Sequence, residues 1–76
     1  MNKSAYTPIN PEKLLLSKWT AVCPQYKEKH FLVTEVIRNE DQRIVACLLE
    51  AVINRHQYEL DWQQLKDTSQ WLPGWQ

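Results

Sequence analysis

The residues of this chain whose types could do chemistry are few: two histidines, two cysteines and scattered carboxylates. Cys23 and His30 are seven residues apart, Cys47 and His56 nine, and no CxxC or HxxxH spacing occurs. No zinc-site pattern is therefore present. Nothing near Cys23 in the sequence would lower its pKa into the reactive range. Cys47 falls at an inward position, where a thiol behaves as a small hydrophobe. No catalytic residue, metal or cofactor is expected, and the chain reads as a non-enzymatic protein.

A second constellation depends on strand register. His30, Glu50 and Glu59 are expected in one cross-strand row on the outward face of a sheet. Two carboxylates directly opposite each other are mildly unfavourable there. A histidine beside them is favoured in its charged form. Such a row could hold a small molecule or a cation, or exchange protons. It could equally be a solvated face on which His30 and nearby lysines offset the acids. No Gly-rich loop or nucleophile accompanies it, so the solvated face is the preferred reading.

A third set mixes rings with cations. "QYKEKH" and "NRH" supply Tyr26, Lys27, Lys29, His30, Arg55 and His56, in loops that on a small barrel are expected to share a rim with the C-terminal tryptophans. Rings beside cations stack bases and hold phosphates. They also grip proline-rich or other extended peptides. Nine basic and nine acidic residues cancel, whereas nucleic-acid binders carry a positive excess. The expectation is a small interaction module that binds a protein segment through Trp71, Tyr26 and Lys27. The alternative is RNA or single-stranded nucleic acid on the same rim, with Lys29, Arg55 and Lys66 added.

These residues need elements to position them, and 76 residues allow one small domain. Chains of this size bury only about 60% of their unfolded surface and usually need staples. Four Trp, three Tyr and one Phe are the anomaly. Burying one indole of ~200 Å² contributes about 5 kcal/mol at ~25 cal/mol per Å², so rings can replace the staples. Neither a signal peptide nor a membrane-length apolar run is visible, which predicts a cytoplasmic protein with reduced thiols.

Residues 1–9 read as a polar tail and residues 10–76 as the domain. Asn10 as N-cap, Pro11 at the first position and Glu12 beside the positive end predict a short helix over 11–16. From Ser17 the period becomes two, with Trp19 and Ala21 on one face and Lys18 and Thr20 on the other. "KHFLVTEVIR", "RIVACLLEAVI" and "YELDW" follow as strands, "QQLKD" as a single helical turn, and "TSQWLPGWQ" as a closing segment. The fold class is mainly β: an antiparallel meander or small SH3-like barrel of about five short strands.

A turn at Asn54 and Arg55 pairs Cys47 with Trp62, Leu49 with Leu60 and Ala51 with Tyr58, all inward. A loop at 39–42 sets Val36 against Val45. One extra residue near Thr34 and Glu35, a β-bulge, then keeps Phe31 inward beside Leu49. Leu32 and Leu48 face outward in the row of Asp61. They are to be covered by Leu14, Leu15 or Leu16, or by a second copy of the chain, so monomer and homodimer both remain open. Trp19 and Trp62 are expected in the core. In "WLPGW" a turn with φ > 0 at Gly74 is expected to let Trp75 plug the barrel and leave Trp71 partly exposed.

Taken together, "NPEKLLLSKWTAV", "KEKHFLV", "LLEAV", "YELDWQQLKD" and "WLPGW" resemble a family of small tryptophan-rich conserved bacterial proteins of uncharacterised function. The resemblance covers roughly residues 10 to 76. It implies a free-standing bacterial protein and carries over no catalytic or binding residue.

Overall fold

The computed structural model describes residues 7–76. Five antiparallel strands form one open sheet: β1 (Lys18–Gln25), β2 (Glu28–Arg38), β3 (Ile44–Ala51), β4 (Gln57–Asp61) and β5 (Trp71–Pro73). Their order is β4-β3-β2-β1-β5, so β5 returns to the free side of β1. The mainly β meander expected from the alternating patterns is present. Closure into a barrel is not seen among the described strands, because β4 and β5 are opposite edges of the sheet. With three residues β5 is long enough to zip onto β1, through Trp19, Thr20 and Ala21, and no further.

Among the described residues the helical content is two short 3-10 turns, Pro11–Lys13 and Trp62–Lys66. Asn10 caps the first as expected, its side chain accepting the Glu12 N–H at 3.0 Å. The predicted helix over 11–16 is cut short because Leu16 turns left-handed at φ 68 and gives its N–H to the Val33 carbonyl. That exchange feeds the chain into β1 and leaves Leu14 buried against the inner face, with Leu15 and Leu16 exposed. The leucine trio therefore does not cover Leu32 and Leu48 on the outer face. Of the tail read at 1–9, residues 1–6 lie outside the described residues. Thr7 donates its N–H to the Lys66 carbonyl and Ile9 packs against the core, so 7–9 run with the domain.

Both hairpin registers differ from the expected ones by two residues. Leu49 lies opposite Tyr58 and Cys47 opposite Leu60, while Phe31 lies opposite Ala51 and Val36 opposite Cys47. Two is an even number, so Phe31, Val36, Cys47 and Leu49 keep their inward face while the cross-strand rows change. Val45 does not: a second irregularity between Ile37 and Arg38 leaves it exposed and buries Ile44 instead. The bulge falls where alternation demanded it, between Val33 and Glu35. The physical source of the offset is turn length. The β3–β4 connection includes Val52 and Ile53, with the Ala51 N–H donating to the His56 carbonyl.

The core is the inner face of this one sheet. Trp19, Phe31, Val33, Cys47, Leu49 and Ala51 are buried on it, covered by Leu14 and by Leu65 of the second 3-10 turn. Trp62 opens that turn rather than continuing β4. Asp61 caps it by accepting the Gln63 N–H at 2.9 Å, and the Trp62 ring is half-buried beneath the Lys66 ammonium, 5.0 Å away. Cys47 is fully buried, and burial first, with the Asp61 charge second, pushes its thiol up to about 11. Cys23 is exposed. A neutral-pH alkylating reagent is therefore expected to label one thiol per folded chain, at Cys23, and both only after denaturant is added. Two labels on the native protein, counted by mass spectrometry, would contradict this packing.

The outer face also departs from simple alternation. Thr20 points outward yet is 2% exposed, because the C-terminal residues fold over it. Its hydroxyl donates to the Gly74 carbonyl at 2.7 Å and accepts the Gln76 N–H at 2.9 Å. Gly74 has the expected positive φ, 78°, and swings Trp75 onto this side of the sheet. There the indole N–H donates to the Phe31 carbonyl at 2.9 Å. Lys18 sits 4.9 Å above the ring and His30 lies beside it. The roles expected of the last two tryptophans are thus exchanged. Trp71 pairs with Ala21 and so faces inward, edge-on to Phe31 with ring centroids 5.2 Å apart. Trp75 is the more exposed ring, at 45%.

A candidate apolar cleft and its buried carboxylate

Leu14 and Leu65 cover only part of the inner face. The rest is an open cleft of about 230 Å³. Phe31 and Leu49 form its floor, Tyr58 and Leu60 of β4 one wall, and Ala21, Cys23 and Gln25 of β1 the other. The β1 wall exists because that strand bows away from β2. The pairing jumps from Thr20↔His30 to Gln25↔Glu28, leaving four β1 residues against one on β2. Pro24 lies in this unpaired stretch, where its missing N–H costs no ladder bond. Trp71 and Tyr26 complete the lining.

The β1–β2 turn is Tyr26 and Lys27, both left-handed at φ 54 and 63. Two positive φ values in a two-residue loop make a type I′ turn, which ordinarily selects Asn-Gly. A tyrosine there carries about 1–2 kcal/mol of backbone strain, and its ring is 82% exposed at the mouth of the cleft.

Among the described residues one charged side chain lines the cleft. Glu28, the first residue of β2, is 4% exposed. It accepts hydrogen bonds from Tyr58 Oη at 2.6 Å, Asn54 Nδ2 at 2.7 Å and the His56 ring through Nδ1 at 3.1 Å. The Tyr58 bond above all, then that from Asn54, holds the carboxyl below its ordinary 4.5, with His56 adding less and desolvation opposing. The same bond raises Tyr58 above its ordinary 10.0. Glu12 is held low in the same way by Arg38, and Asp67 by Ser69.

The signs give a pH profile. A carboxylate with a lowered folded-state pKa contributes stability that is present above its unfolded value and lost as pH falls through the folded one. Tyr58 and Cys47, both raised, contribute stability that is present below their unfolded values of 10.0 and 9.0 and lost as pH rises through the folded ones. The midpoint of urea unfolding is therefore expected to be level around neutrality. It should fall below about pH 4.5, and again above about pH 9. A midpoint unchanged down to about pH 3 would contradict the Glu28 network.

The site residues expected from the sequence divide. Trp71 and Tyr26 meet at the cleft, and Lys27 stands beside Tyr26 in the turn. Lys29 is exposed on β2, outside the cleft lining. Arg55, left-handed at φ 66, turns toward Glu50 at 3.7 Å, and Lys66 lies over Trp62. The polar row of His30, Glu50 and Glu59 dissolves under the two-residue shift. His30 is opposite Thr20, Glu50 opposite Leu32 and Gln57, and Glu59 opposite Leu48. Among the described residues no three of His, Cys, Asp and Glu come together as a metal-binding set.

The Glu28, Asn54, His56 and Tyr58 cluster escaped the sequence reading. Alternation counted back from Phe31 puts Glu28 on the outer face, and only the irregular β1–β2 pairing moves it in. A usable signal was present: "NRHQY" offers an amide and an imidazole in the β3–β4 connection and a phenol at the start of β4.

Neither a curated protein nor a solved structure matches the chain. Residues 17–76, which hold all five strands, all four tryptophans and the whole cleft lining, do match a family, and the chain belongs to it: Tryptophan-rich protein (DUF2389).

Proposed function

We propose that this chain is a non-enzymatic binding module that takes an extended protein segment along β4, with side chains inserted in the cleft. The observation that carries this reading is the cleft itself: an apolar trough on the inner face, bounded by a strand whose outer edge has no neighbour among the described strands. The Ala51–His56 bond sets the alternation, so Tyr58 and Leu60 bond to β3 through their backbones. Gln57, Glu59 and Asp61 then turn their N–H and C=O groups to the open edge. Strand addition supplies affinity through such groups and specificity through pockets for alternate side chains.

Size and strain support the same reading. About 230 Å³ holds one or two side chains, below the usual range for a cofactor or drug-sized ligand. Tyr26 is held in a conformation its type disfavours, at the cleft mouth, and such strain clusters at ligand-binding sites. Nucleic acid is the weaker reading, because the cleft's charged group is an acid and Lys29, Arg55 and Lys66 are absent from its lining. Two unpaired cysteines fit a reducing, cytoplasmic setting.

The test is capture of partners by the tagged protein from its native extract, with and without nuclease. A discrete protein that survives nuclease, is lost with Trp71→Ala and is retained with Trp75→Ala is the expected result. Material that nuclease removes, or a partner indifferent to Trp71→Ala, would overturn it.

A further inference from the structure

We infer that the cleft is selective for a cation, and that the side chain it takes from a partner segment is a lysine or a similar primary ammonium. This inference rests on the proposed function for the segment, but the cation site itself stands on separate observations. Glu28 is a nearly buried carboxylate that lines the cleft, and among the described residues no lysine or arginine lines it. Two of its three hydrogen-bond donors, Tyr58 and Asn54, are neutral, so they satisfy its lone pairs without cancelling its charge. The third, His56, is largely exposed and carries a charge only when protonated. A buried anion without a fixed counterion favours an incoming positive charge.

The walls favour the same chemistry. Tyr26, Phe31, Tyr58 and Trp71 all line the cleft beside Glu28. Phe31 is met edge-on by Trp71 at 5.2 Å and by Tyr58 at 6.2 Å, so the rings are held at steep angles to one another around a shared space. Ring faces attract a cation within about 6 Å, and more strongly where water is excluded. A lysine stem can lie along Leu60 and Leu49 while its head reaches the carboxylate, dividing its apolar and charged parts as the lining does. A carboxylate or phosphate meets the wrong sign, and a purely aliphatic side chain fills the space but leaves Glu28 uncompensated.

The experiment uses n-butylammonium chloride as the probe, with n-butanol as its neutral counterpart and sodium chloride as the ionic control, following the Trp71 indole N–H by NMR. The pentapeptide acetyl-Thr-Val-Lys-Val-Thr-amide and its norleucine counterpart are titrated alongside. Butylammonium is expected to bind about tenfold more tightly than butanol. Glu28→Gln should reduce that ratio to near one, and Tyr26→Asn should weaken butylammonium severalfold. Asn tolerates the left-handed turn, so Tyr26→Asn keeps the fold if Glu28→Gln does not.

Equal binding of butylammonium and butanol to the unaltered protein overturns the cation site. If both peptides then bind alike, segment binding survives without it. If butylammonium is selected but neither peptide binds, the cation site stands and the strand-taking proposal falls.

Discussion

Trp19→Ala is expected to leave the chain without a cooperative unfolding transition at room temperature. Trp19 is 4% exposed in the middle of the inner face, among Leu14, Phe31 and Val33. Its indole N–H donates to Ser17 Oγ at 2.9 Å, and that hydroxyl donates to the Leu14 carbonyl at 2.6 Å. The ring thus fills the core and also fixes the turn that lays Leu14 onto it. Truncating a buried tryptophan costs about 3–5 kcal/mol. A single core in a domain of this length supplies about 3–5 kcal/mol in all. Trp19→Phe keeps most of the apolar bulk and loses only the indole bond, so it should stay folded with a lowered urea midpoint. Circular dichroism during a urea titration separates the two. A sharp transition in Trp19→Ala, within about 1 kcal/mol of the parent, would contradict this account of the core.

Leu65→Ala should cost about 3 kcal/mol, and clearly more than Trp62→Ala, although tryptophan is much the larger residue. Leu65 is fully buried, whereas the Trp62 ring is half-exposed under Lys66. Among the described residues, Leu14 and Leu65 are the fully buried side chains laid on the open sheet from outside the strands. The turn carrying it also anchors the Thr7 N–H, so its loss should loosen both ends of the domain. Unfolding midpoints for the pair give the answer, and a larger loss for Trp62→Ala would mean that the aromatic ring closes the core.

Why parts of this molecule can be read from its sequence and others cannot follows from what each depends on. Strand identity depends on local alternation, and "YELDW" or "RIVACLLEAVI" carries it plainly. The bulge at Thr34 was demanded by parity alone, since Phe31 and Val36 cannot both face inward without it. Register depends on where a turn begins, and "AVINRH" contains β-branched residues that look like strand but belong to the connection. Asp61 is legible as a helix cap only once Trp62 is released from the strand. The long-range contacts were out of reach: Thr20 with Gly74 and Gln76, and Trp75 with Phe31, join residues more than forty positions apart.

Of the candidate site, Tyr26 and Trp71 were legible as rings without a strand's reason to be buried. What the alternation could not supply was their meeting at one cleft, which requires β5 to return beside β1 and β1 to bow away from β2. In the sequence Glu28 is one acid of nine, set between Lys27 and Lys29. Its importance is a matter of burial and of three donors brought from the β3–β4 turn and β4, information held only in three dimensions.

The central claim is that the open trough along β4 is where a partner segment docks. The most direct measurement is amide hydrogen exchange, residue by residue, with and without the captured partner. The account predicts strong new protection at the N–H groups of Gln57, Glu59 and Asp61, which face the free edge, with the indole of Trp71 slowed alongside them. Unchanged exchange along β4, with the protection falling instead on Trp75 and the outer-face residues Lys18 and His30, would contradict it.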